Sequence, residues 1–284
     1  MDLKKIKRVG IIGAGTMGRG IAQAVALSGY EVLLYDQDAA ISDMGIESIK
    51  KSLQKGVSLN KIKEKEGKAA VKRITRITDL AEVKANIIIE AIVEHLEVKI
   101  KVLQEVERHN HSSSIIASNT SSIPIAAIAA KLSRPENFLG LHFFNPAHLI
   151  ELVEIIEGSH TSQEAVNLGN EFISSLNKKA VMVKDAPGFI VNRVARHFYV
   201  ESLKIAEEGI ADFETIDKLI ESSGFKMGPF KLMDLIGIDT NFAVTTSIYN
   251  AFHQEPRFRP SRLQNQKILA GHLGKKSGKG FYDY

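Results

Sequence analysis

The sequence contains no cysteine, and this absence excludes several kinds of chemistry. A chain without thiols cannot form disulfides, bind a metal through thiolates or use a cysteine nucleophile. Proteins that do not depend on disulfides are typical of reducing compartments, so we expect a cytoplasmic location.

Long apolar runs are also missing. No apolar stretch approaches the roughly 18 residues that a membrane-spanning helix requires. The basic start, MDLKKIKRVGIIG, enters a short strand-like run at once and has neither the apolar core nor the cleavage site of a secretory signal. We therefore expect a soluble, unprocessed protein with no membrane partner.

A basic segment lies at residues 47–76, where Lys and Arg outnumber Glu by seven, although the whole chain has a net charge of only +4. Surfaces that bind single-stranded nucleic acid interleave aromatic side chains with cations, and this segment contains no aromatic residue. A nucleic-acid partner is therefore not expected. The segment is either a solvated helical face or a site for a compact polyanion.

The first part of the chain alternates regularly between two kinds of segment. Short β-branched runs such as KRVGII, EVLLYD, NIIIEAIV and SSIIASN are separated by segments with helical periodicity. This alternation is typical of repeated βαβ units. It predicts an α/β fold with a doubly wound, mostly parallel sheet.

The second part of the chain has a different pattern. After DAPGF, residues 185–189, long amphipathic segments are broken by glycines and show no strand-like alternation. We predict a first domain over residues 1–185, with a helical insert at about 37–72, and an all-helical second domain over residues 186–284. A chain of 284 residues with 44% hydrophobic residues is long enough to build both cores.

A glycine-rich motif, GAGTMG, connects the first predicted strand to an alanine-rich helix. The first glycine permits a tight turn, the second lets the backbone approach a pyrophosphate, and the third allows the helix to pack closely on the strand. The helix N-terminus adds the positive end of its dipole. In this context the motif predicts a dinucleotide site in a Rossmann-type domain. Its residues are Gly13, Ala14, Gly15, Thr16, Met17 and Gly18.

Asp36 ends the second predicted strand, where an acidic residue meets the adenosine ribose in such domains. A carboxylate accepts a hydrogen bond from a ribose 2′-hydroxyl and repels a 2′-phosphate. The expected cofactor is therefore NAD rather than NADP.

The stretch GLHFFNPAHLIELVEII, residues 140–156, is typical of buried strands, yet it contains His142 and Glu154. A carboxylate among Leu, Ile and Val side chains is costly to bury without a partner, and His142 is the obvious candidate. His142 is predicted at the carboxyl edge of the sheet, where doubly wound folds bind ligands. A catalytic pair and a core histidine held by a glutamate for packing both fit this pattern.

Other histidines fit a catalytic role less well, because most lie in polar loops or near helix ends. His148 is the closest rival of His142, and none of the histidines forms a recognisable metal set with carboxylates, so no metal site is predicted. The remaining competitors are His95, His109, His111 and His160.

The polar run SNTSS, residues 118–122, follows another predicted strand at the same edge of the sheet. A helix cap explains one Ser or Thr, but five consecutive hydroxyl and amide side chains exceed what a cap requires. We therefore predict ligand contacts from this run.

Seven blocks, in order along the whole chain, resemble the 3-hydroxyacyl-CoA dehydrogenases, and among them the short bacterial 3-hydroxybutyryl-CoA dehydrogenases. The resemblance implies NAD-dependent interconversion of a short-chain L-3-hydroxyacyl-CoA and the 3-oxoacyl-CoA by a homodimer. The blocks are GAGTMGRGIAQAVALSG with Asp36, EAIVEHLEVK, ASNTSS, GLHFFNP with LVE, DAPGFIVNRV, MGPF with DLIG, and KKSGKGFYDY.

The resemblance also implies roles for individual residues. His142 matches the base that accepts the proton of the substrate 3-hydroxyl, and Glu154 matches the glutamate that orients it. Ser121 and Asn192 match residues that hydrogen-bond the reacting 3-oxygen and the acyl carbonyl. Contacts on the cofactor side are implied for Glu94, Lys99, Ser121, Asn145 and Lys276.

The basic segment fits the same resemblance, since family members insert a helical pair there that contacts coenzyme A. Ser52 occupies one such contact, whereas the lysine expected at position 59 is replaced by Leu59. Lys55 and Lys61 are near enough to substitute for it. We expect the segment to attract the phosphates of coenzyme A.

The chain departs from the family pattern after the NP dipeptide, where it has Ala147, His148 and Glu151. Two other functions fit the sequence less well. One is a dehydrogenase for a free hydroxy acid or sugar acid on the same fold, and the other is a non-catalytic, crystallin-like protein that binds NAD(H).

Overall fold

The structure is a computed structural model that describes residue 3 and residues 6–284. The chain divides into two compact units, Met1–Asp185 and Ala186–Tyr284. Residues 1, 2, 4 and 5, which belong to the predicted first domain, lie outside the described residues.

The first unit is built around an eight-stranded sheet. Its strands are β1 (Arg8–Ile12), β2 (Glu31–Tyr35), β3 (Ile74–Ile77), β4 (Ile87–Glu90), β5 (Ile115–Ser118), β6 (Phe138–Phe143), β7 (Leu152–Glu157) and β8 (Lys179–Lys184). All neighbouring strands are parallel except β6 and β7, which are antiparallel. The predicted doubly wound, mostly parallel sheet is confirmed. The order of the strands across the sheet is β3-β2-β1-β4-β5-β6-β7-β8.

Helices and short 3₁₀ turns connect these strands. Two of the helices, α2 (Ala39–Ser58) and α3 (Glu64–Lys72), occupy the segment where the helical insert was predicted. The helices are α1 (Thr16–Leu27), α2 (Ala39–Ser58), α3 (Glu64–Lys72), α4 (Leu96–His109), α5 (Ile125–Ala129) and α6 (Gln163–Ser175), and the turns are Leu80–Glu82 and Pro135–Asn137.

The central strands are buried along their whole length. Every residue of β4, β5 and β6 is buried, because α-helices cover both faces of a doubly wound sheet. This explains why their sequences are continuous apolar runs rather than alternating ones.

The first helix ends at a glycine. Gly29 follows the C-cap of α1 with φ of 100°, a conformation that glycine adopts without strain.

The strand order reverses between β1 and β4, and this switch point positions the candidate site. On one side β2 and β3 follow β1, and on the other side β5 and β6 follow β4. Ligands of open α/β sheets bind in the crevice at the carboxyl ends of the strands that flank such a reversal. The strands end there at Ile12, Glu90, Ser118 and Phe143.

The second unit is helical, as predicted. Its core contains buried Leu203, Phe230, Met233 and Ile238, which come from three different helices. Within the described residues no helix of either unit combines the length and apolar character needed to span a bilayer. The helices are α7 (Val191–Glu207), α8 (Phe213–Ser222), α9 (Pro229–Ile236), α10 (Ile238–Ala251) and α11 (Arg262–Leu269), with 3₁₀ turns at Pro256–Phe258 and Lys275–Ser277.

Two buried carboxylates hold the end of the chain in this unit. Asp234 accepts hydrogen bonds from the backbone N–H groups of Phe281 (2.9 Å) and Tyr282 (3.0 Å) and from the Tyr284 hydroxyl (3.1 Å). Asp217 accepts one from the Tyr282 hydroxyl at 2.8 Å. Burial and the nearby carboxylates raise the pKa of both tyrosines, so their hydroxyls keep the protons that they donate.

Gly280→Ala should destabilise this arrangement, because a Cβ at Gly280 would overlap the Asp234 carboxylate. We expect the free energy of unfolding to fall by about 2 kcal/mol or more, through overpacking and loss of charge-assisted hydrogen bonds. Urea unfolding followed by far-UV circular dichroism measures the change. The control is Asp283→Ala, where an 81% exposed carboxylate is removed and a change within about 0.5 kcal/mol is expected. Equal midpoints for Gly280→Ala and the wild type would contradict the prediction.

Candidate active site

Two glycines of the GAGTMG motif are required by the fold itself. Gly13 has φ of 99°, and a Cβ there would lie 2.6 Å from the carbonyl oxygen of Ala91. A Cβ on Gly18 would overlap the carbonyl oxygen of Gly13. The loop between β1 and α1 is therefore a tight turn against which the first turn of the helix packs directly.

Gly15 has a different environment. A Cβ at this position would meet no heavy atom within 4 Å, so protein packing does not require a glycine there. Close approach of a pyrophosphate to the backbone does require one. Helix α1 begins at Thr16 without a side-chain cap, which leaves its first N–H groups available to an anion. The loop therefore fits the phosphates of a dinucleotide.

Asp36 connects the glycine loop to the end of β2. Its Oδ2 accepts a hydrogen bond from the Ala14 N–H at 2.8 Å, and its Oδ1 accepts one from the Asp38 N–H at 3.1 Å. The residue is only half-buried, and each carboxylate oxygen can accept a second bond. Asp36 can thus hold the loop and still accept a hydrogen bond from a ribose hydroxyl.

The polar run after β5 is held mainly by partners inside the protein. The Ser118 hydroxyl donates to Oε2 of Glu90 at 2.6 Å. The Asn119 side-chain oxygen accepts a hydrogen bond at 2.9 Å from the N–H of Phe143, the residue after His142. These two contacts attach the start of the run to β4 and to β6.

Glu94 binds the rest of the run. Its Oε1 accepts hydrogen bonds from the Thr120 hydroxyl, from the Ser121 N–H (3.0 Å) and from both the N–H and the hydroxyl of Ser122 (3.2 Å each). Ser121 is the one residue of the run whose side chain makes no hydrogen bond to any described residue. Four of the five polar side chains therefore have internal partners, and the Ser121 hydroxyl is the one left for a ligand.

Lys99 lies between two carboxylates. Its ammonium, 1% exposed, is 2.6 Å from Oε1 of the fully buried Glu90 and 3.2 Å from Oε2 of Glu94. Burial opposes ionisation of Glu94, but the Lys99 ammonium and the hydrogen bonds from Thr120 and Ser121 lower the pKa of Glu94 below its usual value. The Glu94 side chain is 37% exposed, so it is more accessible to a cofactor than Lys99 is.

His142 and Glu154 face each other across the antiparallel pair formed by β6 and β7. Nδ1 of His142 lies 2.8 Å from Oε2 of Glu154, and the two side chains are 7% and 0% exposed. Because a carboxylate accepts hydrogen bonds, the Nδ1–H of the imidazole donates. The neutral ring is then fixed in the tautomer whose basic nitrogen is Nε2.

The loop after β6 packs against α1 and α2. A Cβ on Gly20 of α1 would lie 3.2 Å from the Cβ of Ala147, and Nε2 of His148 lies 3.4 Å from the Ser52 hydroxyl of α2. Burial and the Lys178 ammonium lower the pKa of His148. A cavity of about 250 Å³ lies between these elements. Among the predicted ligand-binding residues its walls include Thr16, Ser52 and Asn145.

The remaining predicted site residues lie elsewhere. Lys55 is exposed in the last turn of α2. In the second unit, half-buried Asn192 is in the first turn of α7, and the Lys276 ammonium is 2.6 Å from the Asp239 carboxylate. Across residue 3 and residues 6–284, no three His, Asp or Glu side chains are grouped in a way that could hold a metal ion.

Sequence reasoning missed Glu90 and Asn119 as individual residues of this site. For Glu90 a signal was present, because NIIIEAIV places a carboxylate in a buried strand just as LIELVEII does. Asn119 could not be singled out, because its partner, Phe143, is brought to it only by the pairing of β5 with β6.

One family matches nearly the whole chain. The NAD binding domain of 3-hydroxyacyl-CoA dehydrogenase matches residues 8–186, and the C-terminal domain of 3-hydroxyacyl-CoA dehydrogenase matches residues 188–284.

Individual relatives agree with this match. The chain is 44% identical over 281 residues to 3-hydroxyadipyl-CoA dehydrogenase of Escherichia coli (strain K12), covering 98% of this chain but only 59% of that relative. It is 38% identical over 283 residues to 3-hydroxybutyryl-CoA dehydrogenase of Mycobacterium tuberculosis (strain ATCC 25618 / H37Rv), covering 98% and 99% of the two chains. A solved structure of (S)-3-hydroxybutyryl-CoA dehydrogenase from Ralstonia eutropha superimposes with a TM-score of 0.94 at 38% identity and 99% coverage of both chains.

These comparisons confirm the resemblance seen in the sequence. The match to the NAD binding domain also confirms NAD as the cofactor, in agreement with the glycine loop and Asp36. The chain belongs to the 3-hydroxyacyl-CoA dehydrogenase family of NAD-dependent oxidoreductases.

Proposed function

We propose that the protein interconverts a short-chain L-3-hydroxyacyl-CoA, with 3-hydroxybutyryl-CoA as the leading candidate, and the corresponding 3-oxoacyl-CoA. The observation that carries the proposal is the buried imidazole–carboxylate pair of His142 and Glu154, 2.8 Å apart at the carboxyl end of β6. Relatives named 3-hydroxybutyryl-CoA dehydrogenase that match over nearly their full length support the choice of substrate.

In this proposal His142 is the general base. The cofactor NAD, when bound, would supply the acceptor for the hydride that leaves C3 of the hydroxyacyl substrate. Nε2 of His142 takes the proton of the 3-hydroxyl, and Glu154 stabilises the imidazolium that forms. The pair is shielded from water, so the carboxylate acts on the imidazolium more strongly than it would in solution.

Ser121 and Asn192 are proposed to bind the oxygens of the substrate. The Ser121 hydroxyl would donate to the 3-oxygen, and the Asn192 amide to the acyl carbonyl, which fixes the position of C3 and shares its developing charge. The backbone of Ser121 is held by Glu94, so its hydroxyl is presented from a fixed position.

His142→Gln should lower kcat for acetoacetyl-CoA reduction by about 10²- to 10⁴-fold, because the proton donor and acceptor is removed. NADH binding should stay nearly unchanged. Absorbance at the NADH band measures turnover, and NADH fluorescence titration measures binding. The control is His111→Gln, where an exposed loop histidine is changed and wild-type kcat is expected. Near-normal turnover of His142→Gln would exclude His142 as the base.

We also propose that α2 and α3 attract the phosphates of coenzyme A. Ten of the chain's cations lie at residues 47–76, and Lys51 and Lys55 are exposed on α2, the helix that carries Ser52. Lys50 is partly engaged by Glu47 at 2.5 Å. A free hydroxy acid or sugar acid has no polyphosphate, so the surplus of positive charge favours a thioester of coenzyme A.

Replacing Lys50, Lys51 and Lys55 together by Glu should raise KM for acetoacetyl-CoA by roughly tenfold at low ionic strength, because the positive surplus of residues 47–76 falls from seven charges to one. A truncated acetoacetyl thioester that lacks the nucleotide serves as the matched control, and its KM should barely change. Steady-state kinetics with both substrates compares them. Equal effects on the two would refute the role of this segment.

We propose a homodimer that associates through the second unit. Nine of the 17 large apolar side chains that are exposed in the described part of the chain lie in this unit, which holds about a third of the residues. Phe225, Leu219 and Ile210 are each more than half exposed. We propose that these side chains contribute to the interface, since contiguous apolar patches are where proteins associate.

Sedimentation velocity at micromolar concentration should therefore give twice the 31.3 kDa mass of one chain. The apolar side chains of the second unit supply the driving force, so the dimer should withstand high salt. A species with the mass of one chain at all concentrations would contradict the proposal.

A further inference from the structure

We propose that Glu90 is a positioning residue for Ser121, and that it acts both through its hydrogen bond with Ser118 and through Lys99, which bridges the carboxylates of Glu90 and Glu94. The inference rests on the proposed role of Ser121 in binding the reacting oxygen. Glu90 itself has no place among the residues that the family resemblance implies. Its contacts nevertheless reach the polar run 118–122 by two routes.

The first route is direct. Glu90 is the last residue of β4, paired with Ile12 of β1 on one side and with Ser118 of β5 on the other. Its side chain is fully buried at the switch point of the sheet. Oε2 accepts the hydrogen bond from the Ser118 hydroxyl at 2.6 Å, which fixes the residue where the polar run begins.

The second route passes through Lys99. Oε1 of Glu90 accepts hydrogen bonds from the Lys99 ammonium at 2.6 Å and from the Ile92 N–H at 2.7 Å. A buried ammonium with a single partner would be costly, and here it also contacts Oε2 of Glu94 at 3.2 Å. Lys99 therefore holds two carboxylates at a fixed separation, one in the core and one at the surface.

Glu94 completes the route to Ser121. Its Oε2 faces Lys99, whereas its Oε1 accepts the hydrogen bond from the Ser121 N–H at 3.0 Å. A displacement of the Glu94 carboxylate thus moves the backbone of Ser121 directly. Glu90 determines where Lys99 lies, and Lys99 determines where Glu94 lies.

The polar run 118–122 is also joined by a hydrogen bond to β6, the strand that carries the proposed base His142. The Asn119 side chain accepts a hydrogen bond from Phe143, the neighbour of His142, so the run and the strand that carries His142 form one framework. If Glu90 no longer holds its end of the run, Ser121 moves relative to His142. Misplacement by about 1 Å can cost about 100-fold in rate.

The experiment is a double-mutant cycle of Glu90→Gln with Ser121→Ala. Glutamine keeps the size of the side chain but removes the charge that Lys99 requires. In the wild-type background we expect Glu90→Gln to lower kcat for acetoacetyl-CoA reduction by about tenfold, with a smaller change in KM. In the Ser121→Ala background the same substitution should change kcat by less than about twofold, because the positioned group is absent. Equal losses in both backgrounds would overturn the proposal.

A second pair of variants, which removes only serine hydroxyls, tests the proposal if Glu90→Gln does not fold. Ser118→Ala removes the direct route and leaves both ion pairs in place. Its matched control is Ser114→Ala, at the opposite end of the same strand run, where a 3% exposed serine donates to the Ala85 carbonyl at 2.9 Å. Both variants should lose similar thermal stability, but only Ser118→Ala should lose kcat. Equal losses of kcat would show general loosening and overturn the proposal.

Failure of this inference can be distinguished from failure of the proposed function. A wild-type protein without activity on acetoacetyl-CoA contradicts the proposed function. A Ser121→Ala variant with unchanged kcat contradicts the proposed role of Ser121 and the positioning role of Glu90 with it. An active wild type and an impaired Ser121→Ala variant, combined with additive losses in the cycle, contradict the role of Glu90 alone.

Discussion

A carboxylate that leaves water must find a partner inside the protein, and this constraint organises both units. In the first unit Glu90 and Glu154 are fully buried at the carboxyl edge of the sheet, where one is paired with a lysine and the other with a histidine. In the second unit Asp217 and Asp234 are equally buried and bind backbone N–H groups and tyrosine hydroxyls. Each unpaired charge would cost several kcal/mol, so each acid specifies the position of the groups around it.

The antiparallel step in an otherwise parallel sheet has a direct chemical result. Because β7 returns beside β6, Glu154 lies opposite His142 in the register, although the two residues are only 12 apart in sequence. A parallel neighbour would need a longer crossover and could not place these residues opposite each other after so short a connection. The same reversal leaves the loop 144–151 at the carboxyl edge, where Ala147 and His148 contact α1 and α2.

Much of the fold was predictable because its signals are local. Apolar β-branched runs mark the strands, the glycine pattern marks the turn into α1, and the loss of alternation after residue 189 marks the helical unit. The charged pairs were harder to predict. The contact between His142 and Glu154 could be guessed because both lie in one short stretch, whereas Lys99 looks like an ordinary charged residue on an amphipathic helix and turns out to be 1% exposed.

The polar run 118–122 shows why the site was less predictable than the fold. Its composition indicated ligand contacts, but hydrogen bonds inside the protein engage Ser118, Asn119, Thr120 and Ser122. Their partners, Glu90, Phe143 and Glu94, come from other elements. The composition of the run does not show which hydroxyl is already hydrogen-bonded. Only the folded structure distinguishes Ser121, whose hydroxyl remains available, from Ser118 and Ser122, whose hydroxyls bind Glu90 and Glu94.

The packing of Phe281 bears on how the protein emerges from the ribosome. Its ring lies 5.1 Å from that of Phe213 and 4.9 Å from that of Phe230, at the centre of the helical unit. All strands of the first unit have been synthesised by residue 184, so its sheet can form early, as amino-terminal domains generally do during translation. The core of the helical unit stays incomplete until residue 281 has been synthesised. Until then the Asp234 carboxylate lacks the N–H groups of Phe281 and Tyr282, and Asp217 lacks the Tyr282 hydroxyl.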